Sequence, residues 1–128
     1  MTRRTIQQKR MAVNAISFVA GWPPSVNHYW MRNRFGGMRI GAKGQSYRTA
    51  IENTLDGLGC VKGHLGITIR AYPPDRRERD LDNILKALLD AIAHAGAIES
   101  DKYIDAICIS RGFIRKGGEV RVDIEMIA

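Results

Sequence analysis

A chain of 128 residues can bury one core and has no room for a second domain. Its 45% hydrophobic and 26% charged content is that of a globular chain and excludes a disordered one. No apolar run approaches the roughly 20 residues needed to cross a bilayer, and the basic start MTRRTIQQKRM leads into no apolar stretch of a secretory signal. The net charge of +7 is unevenly spread. Arg3, Arg4, Lys9 and Arg10 stand in residues 1–13 without an acid, and Arg32, Arg34, Arg39, Lys43 and Arg48 stand in residues 32–48 without one. Such clusters suit a polyanion such as nucleic acid, although a solvated tail and a solvated loop have the same composition. Cys60 and Cys108 lie in no metal-binding spacing. Cys108 sits in an apolar strand pattern and reads as a buried thiol, and a reduced, cytoplasmic setting is expected.

Residues 1–13 read as a basic extension and 14–128 as one domain. Along that domain, Ile16, Phe18 and Ala20 alternate as a strand ending at Gly21. The segment WPPSVNHYWMRNRFGGMRIGAKG is turn-rich, with Pro23–Pro24 and Gly36–Gly37 as breakers and room for a short hairpin. From Gln45 to Leu58, Tyr47, Ala50, Ile51, Thr54, Leu55 and Leu58 recur at steps of three and four, one face of a helix. Leu65, Ile67, Ile69 and Ala71 alternate as a strand closed by Pro73–Pro74. A second helix follows, with Ile84, Leu85, Leu88, Leu89 and Ile92 inward and Gly96 as its stop. YIDAICISRGFI and EVRVDIEMI read as two strands joined through RKGG as a hairpin. The order β–α–β–α–β–β implies an α+β domain: a small mixed sheet with two helices packed on one face.

Chemistry concentrates in RRERDLDNILKALLDAIAHAG, residues 76–96. Asp80 and Asp82 flank one leucine where an extended loop meets a helix, and residues two apart in extended chain point to the same side. Both carboxylates can therefore converge on one point. The same junction offers free backbone N–H groups, so a plain helix cap accounts for an acid there equally well, and Lys86 stands at the spacing of a surface ion pair with Asp82. A cap needs only one carboxylate, whereas Asp75, Glu78, Asp80 and Asp82 crowd this stretch between Arg76, Arg77 and Arg79. Glu99, Asp101 and Asp105 return after the helix in GAIESDKYID. A helix of ~15 residues is ~22 Å long, so Asp101 can join the pair only if the chain comes back along the helix. Hard oxygen ligands of this kind suit Mg²⁺ or Mn²⁺ rather than zinc.

These residues carry a resemblance. GWPPSVNHYW, GAKGQSYR, PPDRRERDLDNILKALLDAIAHAG with IESDKYID, and the tail KGGEVRVDIE together resemble the RusA family of Holliday-junction resolvases, small nucleases often encoded by phages and prophages. The likeness spans roughly residues 14–126. It implies a homodimeric, Mg²⁺-dependent endonuclease, with no organic cofactor, that makes paired symmetric nicks in four-way DNA junctions. It also implies metal-binding carboxylates at Asp80, Asp82 and Asp101, an essential lysine at Lys86, and a basic residue before the first aspartate at Arg79. Many relatives carry two adjacent acids at the third position, where this chain has Ser100–Asp101, with Glu99 beside it. In this reading Arg76, Arg77 and Arg79 hold the DNA backbone near the cut, and Arg32, Arg34, Arg39, Lys43 and Arg48 carry a junction arm by phosphate contact.

Weaker candidates remain. His28, His64 and His94 share no ligand spacing, and His94 reads as a favourable charge at a helix C-terminus. His28, Tyr29 and Trp30 either stack on DNA or cover the core. Asp90 and Asp105 read as network residues. A nuclease acting on forks or flaps, and a non-catalytic dimeric DNA-binding protein, are the alternatives to a resolvase.

Overall fold

Alternating side chains build the sheet on which everything else rests. Residues 10–127 are described by a computed structural model. In it β1 (Ala15–Ala20), β4 (Leu65–Tyr72), β5 (Ile104–Arg111) and β6 (Glu119–Met126) form one mixed sheet in the order β1-β6-β4-β5. Its inner face is set by register: Phe18 stands beside Val122, and Val122 beside Ile69. These apolar rows meet α2 (Ala42–Leu55) and α3 (Leu81–Ala95), whose Ile51, Leu55, Leu88 and Ile92 are fully buried in the same core. Each such side chain contributes about 1.5–3 kcal/mol on leaving water. The turn-rich segment folds into a short helix α1 (Val26–Tyr29) and the hairpin β2 (Trp30–Arg32) and β3 (Met38–Ile40). Among the described residues no helix is long and apolar enough to cross a membrane.

The expected α+β domain with two helices over one sheet face is therefore what forms, with α1 and a 3-10 turn at Asp101–Tyr103 in addition. Helix α2 begins three residues earlier than its apolar pattern and stops at Leu55, because Gly57 (φ +78°) turns the chain away before Leu58. Gly44 must be a glycine here: a Cβ would come 2.5 Å from the carbonyl oxygen of Tyr29, where α2 crosses α1. Residues 1–9 of the basic extension lie outside the described part. Residues 11–13 run beside Cys60 through main-chain bonds, and Arg10 donates to the carbonyl of Leu55 at 2.9 Å.

The expected hairpin between the last two strands does not exist. Strand β4 lies between them, antiparallel to β6 and parallel to β5. Helix α3 returns the chain to the beginning of β4, so the strand that follows it must run alongside β4 in the same direction. The 112–118 connection then bridges the end of β4, held by Gly112 N–H to Ala71 O (2.7 Å) and Arg115 N–H to Pro73 O (2.9 Å). RKGG is a turn, with Gly117 and Gly118 both at positive φ, but it turns across a strand. Cys108 is exposed rather than buried. Ile107 and Ile109 share the inner side with Ile67 and Ile69, which leaves Cys108 beside Thr68 on the side that no helix among the described residues covers.

One polar cluster ties α1, α2 and α3 together. The buried Tyr29 hydroxyl donates to Asp90 on α3, and Arg48 on α2 donates to Asp90 at 2.8 Å and to the Tyr29 oxygen at 3.0 Å. Burial, and then the hydrogen bond to Asp90, push the Tyr29 phenol above its ordinary range, so it stays a donor. Its raised folded pKa favours the native state below the unfolded value of about 10 and ceases to do so as pH rises beyond it. Asp90→Asn leaves the Arg48 guanidinium without its counter-charge in a half-buried site. It should lower unfolding free energy by about 1–3 kcal/mol in urea titrations at pH 7.

Candidate metal and nucleic-acid site

Helix α3 begins without using the acids at its start. Asp80 occupies the N-cap position in extended conformation, yet its side chain accepts no capping hydrogen bond; only its carbonyl is used, by Asn83 N–H at 3.1 Å. Asp82, in the first turn, is equally without a partner among the described residues, and both side chains are exposed. Two free carboxylates at a positive helix end stay accessible to a cation. The plain capping explanation is thereby removed.

Around them the cations divide into two groups. Arg79 is clamped to Asp75 through two contacts of 2.7 and 3.1 Å, lies 5.8 Å from the ring centre of Trp22, and offers its carbonyl to Arg111 at 2.7 Å. Arg79's donation, and then the Arg77 main-chain N–H, hold the Asp75 carboxyl down at about 2. A depressed folded pKa gives stability that is present above the unfolded value of about 3.9 and lost only as pH falls through about 2, so the clamp persists at neutral pH. Arg48 is likewise committed, to Asp90. Both were expected to hold DNA; both are engaged by the chain's own carboxylates. Arg32, Arg34, Arg39, Lys43, Arg76 and Arg77 are exposed, and none has an acidic side-chain partner among the described residues.

Lys86 follows Asp82 by one helical turn and is exposed, its Nζ 5.3 Å from the centre of the Trp30 ring. Such a contact is worth roughly 0.5–1 kcal/mol at an exposed site. Trp30 is half-buried, with its other neighbour, the buried Tyr29, at a ring separation of 4.3 Å. The NHYW stretch thus divides: Tyr29 belongs to the core, Trp30 lines the surface by Lys86, and His28 points outward against Ser25 at 2.9 Å. His94 pairs with Glu52 at 3.3 Å across the two long helices, and Asp105 pairs with His64 at 2.9 Å.

Asp101 is elsewhere. It opens the 3-10 turn before β5, at the end of the sheet where Val61 N–H bonds Ala97 O and Leu65 stands beside Ile104. Asp80 adjoins Arg79, which Arg111 fixes at the opposite end of β5. The two ends are separated by an eight-residue strand, roughly 23 Å, and by the 15-residue helix α3, roughly 22 Å. Among the described residues no three His, Cys, Asp or Glu side chains of one chain are placed to share an ion. Glu99 accepts from Gly63 N–H at 2.6 Å and so is occupied in holding a turn. Sequence reasoning missed the part played by Arg111, which holds the Arg79 carbonyl across 32 positions of chain and for which spacing carries no signal.

The model of the family described as "Endodeoxyribonuclease RusA" matches residues 21–126. The chain is similar to the crossover junction endodeoxyribonuclease of Enterobacteria phage HK97, with 42% identity over 115 residues, 88% of this chain and 95% of the relative. It is also similar to the enzymes of the same name from Shigella sonnei strain Ss046 (36% over 116 residues) and Escherichia coli strain K12 (35% over 116), with the same coverage.

A capping aspartate would lose about 1 kcal/mol on change to alanine and almost nothing on change to asparagine. Because Asp80 caps nothing, Asp80→Ala and Asp80→Asn should have the same stability within about 0.3 kcal/mol by urea unfolding, both having lost the same charge at the helix end.

Proposed function

The chain belongs to the RusA family, and from that membership we propose that it is a structure-selective endodeoxyribonuclease that resolves four-way DNA junctions by paired nicks, working as a homodimer with Mg²⁺. The observation that carries this reading is the pair of exposed carboxylates at Asp80 and Asp82, unpartnered among the described residues. They form a hard-oxygen donor set that suits Mg²⁺ or Mn²⁺, and neither is used to cap or to pair. Bound there, the ion would supply a water of lowered pKa and positive charge beside the scissile phosphate. Lys86, a compact charge on a flexible stem, grips the phosphate or offsets the charge that builds on it. Arg76 and Arg77 hold the backbone beside the cut. Arg32, Arg34, Arg39 and Lys43 position an arm without reading sequence.

Asp101 enters from a second copy. One chain keeps it a helix length from Asp80, so a three-carboxylate site requires the opposite ends of two chains to meet, as a two-fold dimer allows. The same symmetry supplies two sites, one for each strand to be cut.

The decisive experiment uses a labelled four-way junction with Mg²⁺ and a linear duplex as control. Symmetric nicks in the junction alone, abolished by Asp80→Asn, support the reading, whereas tight binding without nicking would sink it. Cleavage of forks in preference to junctions would shift the substrate class. Asp80→Asn and Asp101→Asn are each expected to be inactive, but their mixed dimer retains one whole composite site and should nick a single strand. A mixed dimer as dead as either parent would place all three acids within one chain. Arg34→Ala and Arg76→Ala should each reduce the slope of log K against log salt by about 1.

A further inference from the structure

Beside Lys86 lies a cavity of about 420 Å³, lined by Val26, Asn27, Trp30, Met38 and Lys86, that the proposed chemistry does not use apart from the lysine. Resting on the nuclease reading above, we propose that this cavity receives one unpaired nucleobase of the nucleotide next to the scissile phosphate, stacked on Trp30 and hydrogen-bonded by Asn27.

Its position argues for a nucleotide. Helix α3 contributes Lys86 four residues beyond Asp82, a rise of about 6 Å along the helix axis, and the cavity opens beside that lysine. A base placed there leaves its own phosphate at the acids. The hairpin that supplies Trp30 and Met38 also presents Arg32, Arg34 and Arg39 to solvent, which attracts a polyanion to this side of the domain.

The lining argues for a base in particular. A half-buried indole gives a flat π surface, and stacking on it accepts any base face. Val26 and Met38 make apolar walls, while the exposed Asn27 amide offers one donor edge and one acceptor to a base edge. The volume falls in the range of sites that enclose small planar ligands. The plate is rigid, because Trp30 rests against Tyr29 at 4.3 Å and Tyr29 is held by Asp90 and Arg48. In the free protein the Lys86 ammonium lies 5.3 Å from the indole centre. That contact is weak where water reaches it. A stacking base takes its place and releases the ammonium toward the adjoining phosphate, so that base entry and charge delivery occur together. A base within a duplex cannot reach such a cavity, whereas one at a branch point is the least costly to unstack.

The test is a double cycle of side chain against base. Junctions carrying a single abasic residue on either side of the cut are compared with the intact junction in single-turnover nicking with Mg²⁺. For the wild-type chain, abasic substitution at one of these two positions should slow nicking roughly ten-fold or more. Trp30→Ala should slow the intact junction by a similar factor and make the abasic substitution nearly silent, about two-fold or less, because the lost contact is the same one. Trp30→Phe should keep most of the rate. Asn27→Ala, a change at an exposed residue that leaves the fold alone, should show the same loss of sensitivity to a smaller degree, which keeps the test open should Trp30→Ala unfold the hairpin. Equal abasic effects in wild type and variants, or none above about two-fold at either position in wild type, would overturn the cavity's role while leaving the nuclease intact. Failure of the wild-type chain to nick any junction would overturn both.

Discussion

Parallel pairing of β4 with β5 is the constraint from which the arrangement of this molecule follows. Two parallel neighbours cannot be joined by a tight turn; the chain must leave one end of the first strand and travel back to the other end before starting the second. Here residues 73–103 make that journey, and α3 is its return leg. Anything placed at the start of α3 is thereby separated from anything placed at the start of β5 by the length of a helix. Asp80 and Asp82 stand at the first point and Asp101 at the second. In the proposed dimer the same constraint becomes useful, since a site that is incomplete in one chain cannot act on DNA until two copies have met.

The distribution of positive charge follows a similar economy. A chain of this net charge faces strong self-repulsion unless some cations are paired internally. Of the cations expected to hold DNA, Arg48 and Arg79 are the ones paired to a carboxylate among the described residues. Each also braces a structure that the surface residues need: Arg48 locks Tyr29 under the Trp30 plate, and Arg79 fixes the loop that delivers Asp80. The arginines of the hairpin and the two that precede Glu78 stay in water, where their charge is available to a phosphate backbone. Arginine in an acid-free stretch is thus two different things here, and only the neighbours across space separate them.

Most of the elements were legible from local pattern, because period-2 and period-3.6 alternation records which side of each element faces the core. The strand at Ile16–Ala20, the strand at Leu65–Ala71 and the α3 helix with its Gly96 stop are all written in that way. Pairing is written less clearly. KGG between two apolar stretches carries the chemistry of a hairpin turn, and nothing local reveals that β4 will occupy the place between β5 and β6. Cys108 was misread for a related reason: the apolar run IDAICIS does not mark which residues take the covered side, and the register against Ile67 and Ile69 decides it. In the site, the D-L-D-N motif located Asp80 and Asp82 correctly at the helix start, but the motif cannot say that Asp101 lies a helix length away. The commitments of Arg48 and Asp90 join residues 42 positions apart, and no spacing rule anticipates a partner at that distance.

The state of Asp80 also bears on why the acids are free at all. A helix N-terminus presents unpaired N–H groups and partial positive charge, and an adjacent carboxylate gains about 0.3–1 kcal/mol from that field without forming any bond. Two anions side by side repel, and Arg79, which precedes Asp80 in the chain, is held by Asp75 instead. The dipole of α3 therefore carries the stabilisation that a salt bridge would otherwise supply, and it does so while leaving every carboxylate lone pair available. An arginine bound to Asp80 or Asp82 would have to be displaced before a cation could enter. With Asp75 holding Arg79 aside, the pair remains open, and the base-sized cavity lies beside Lys86, one turn further along α3.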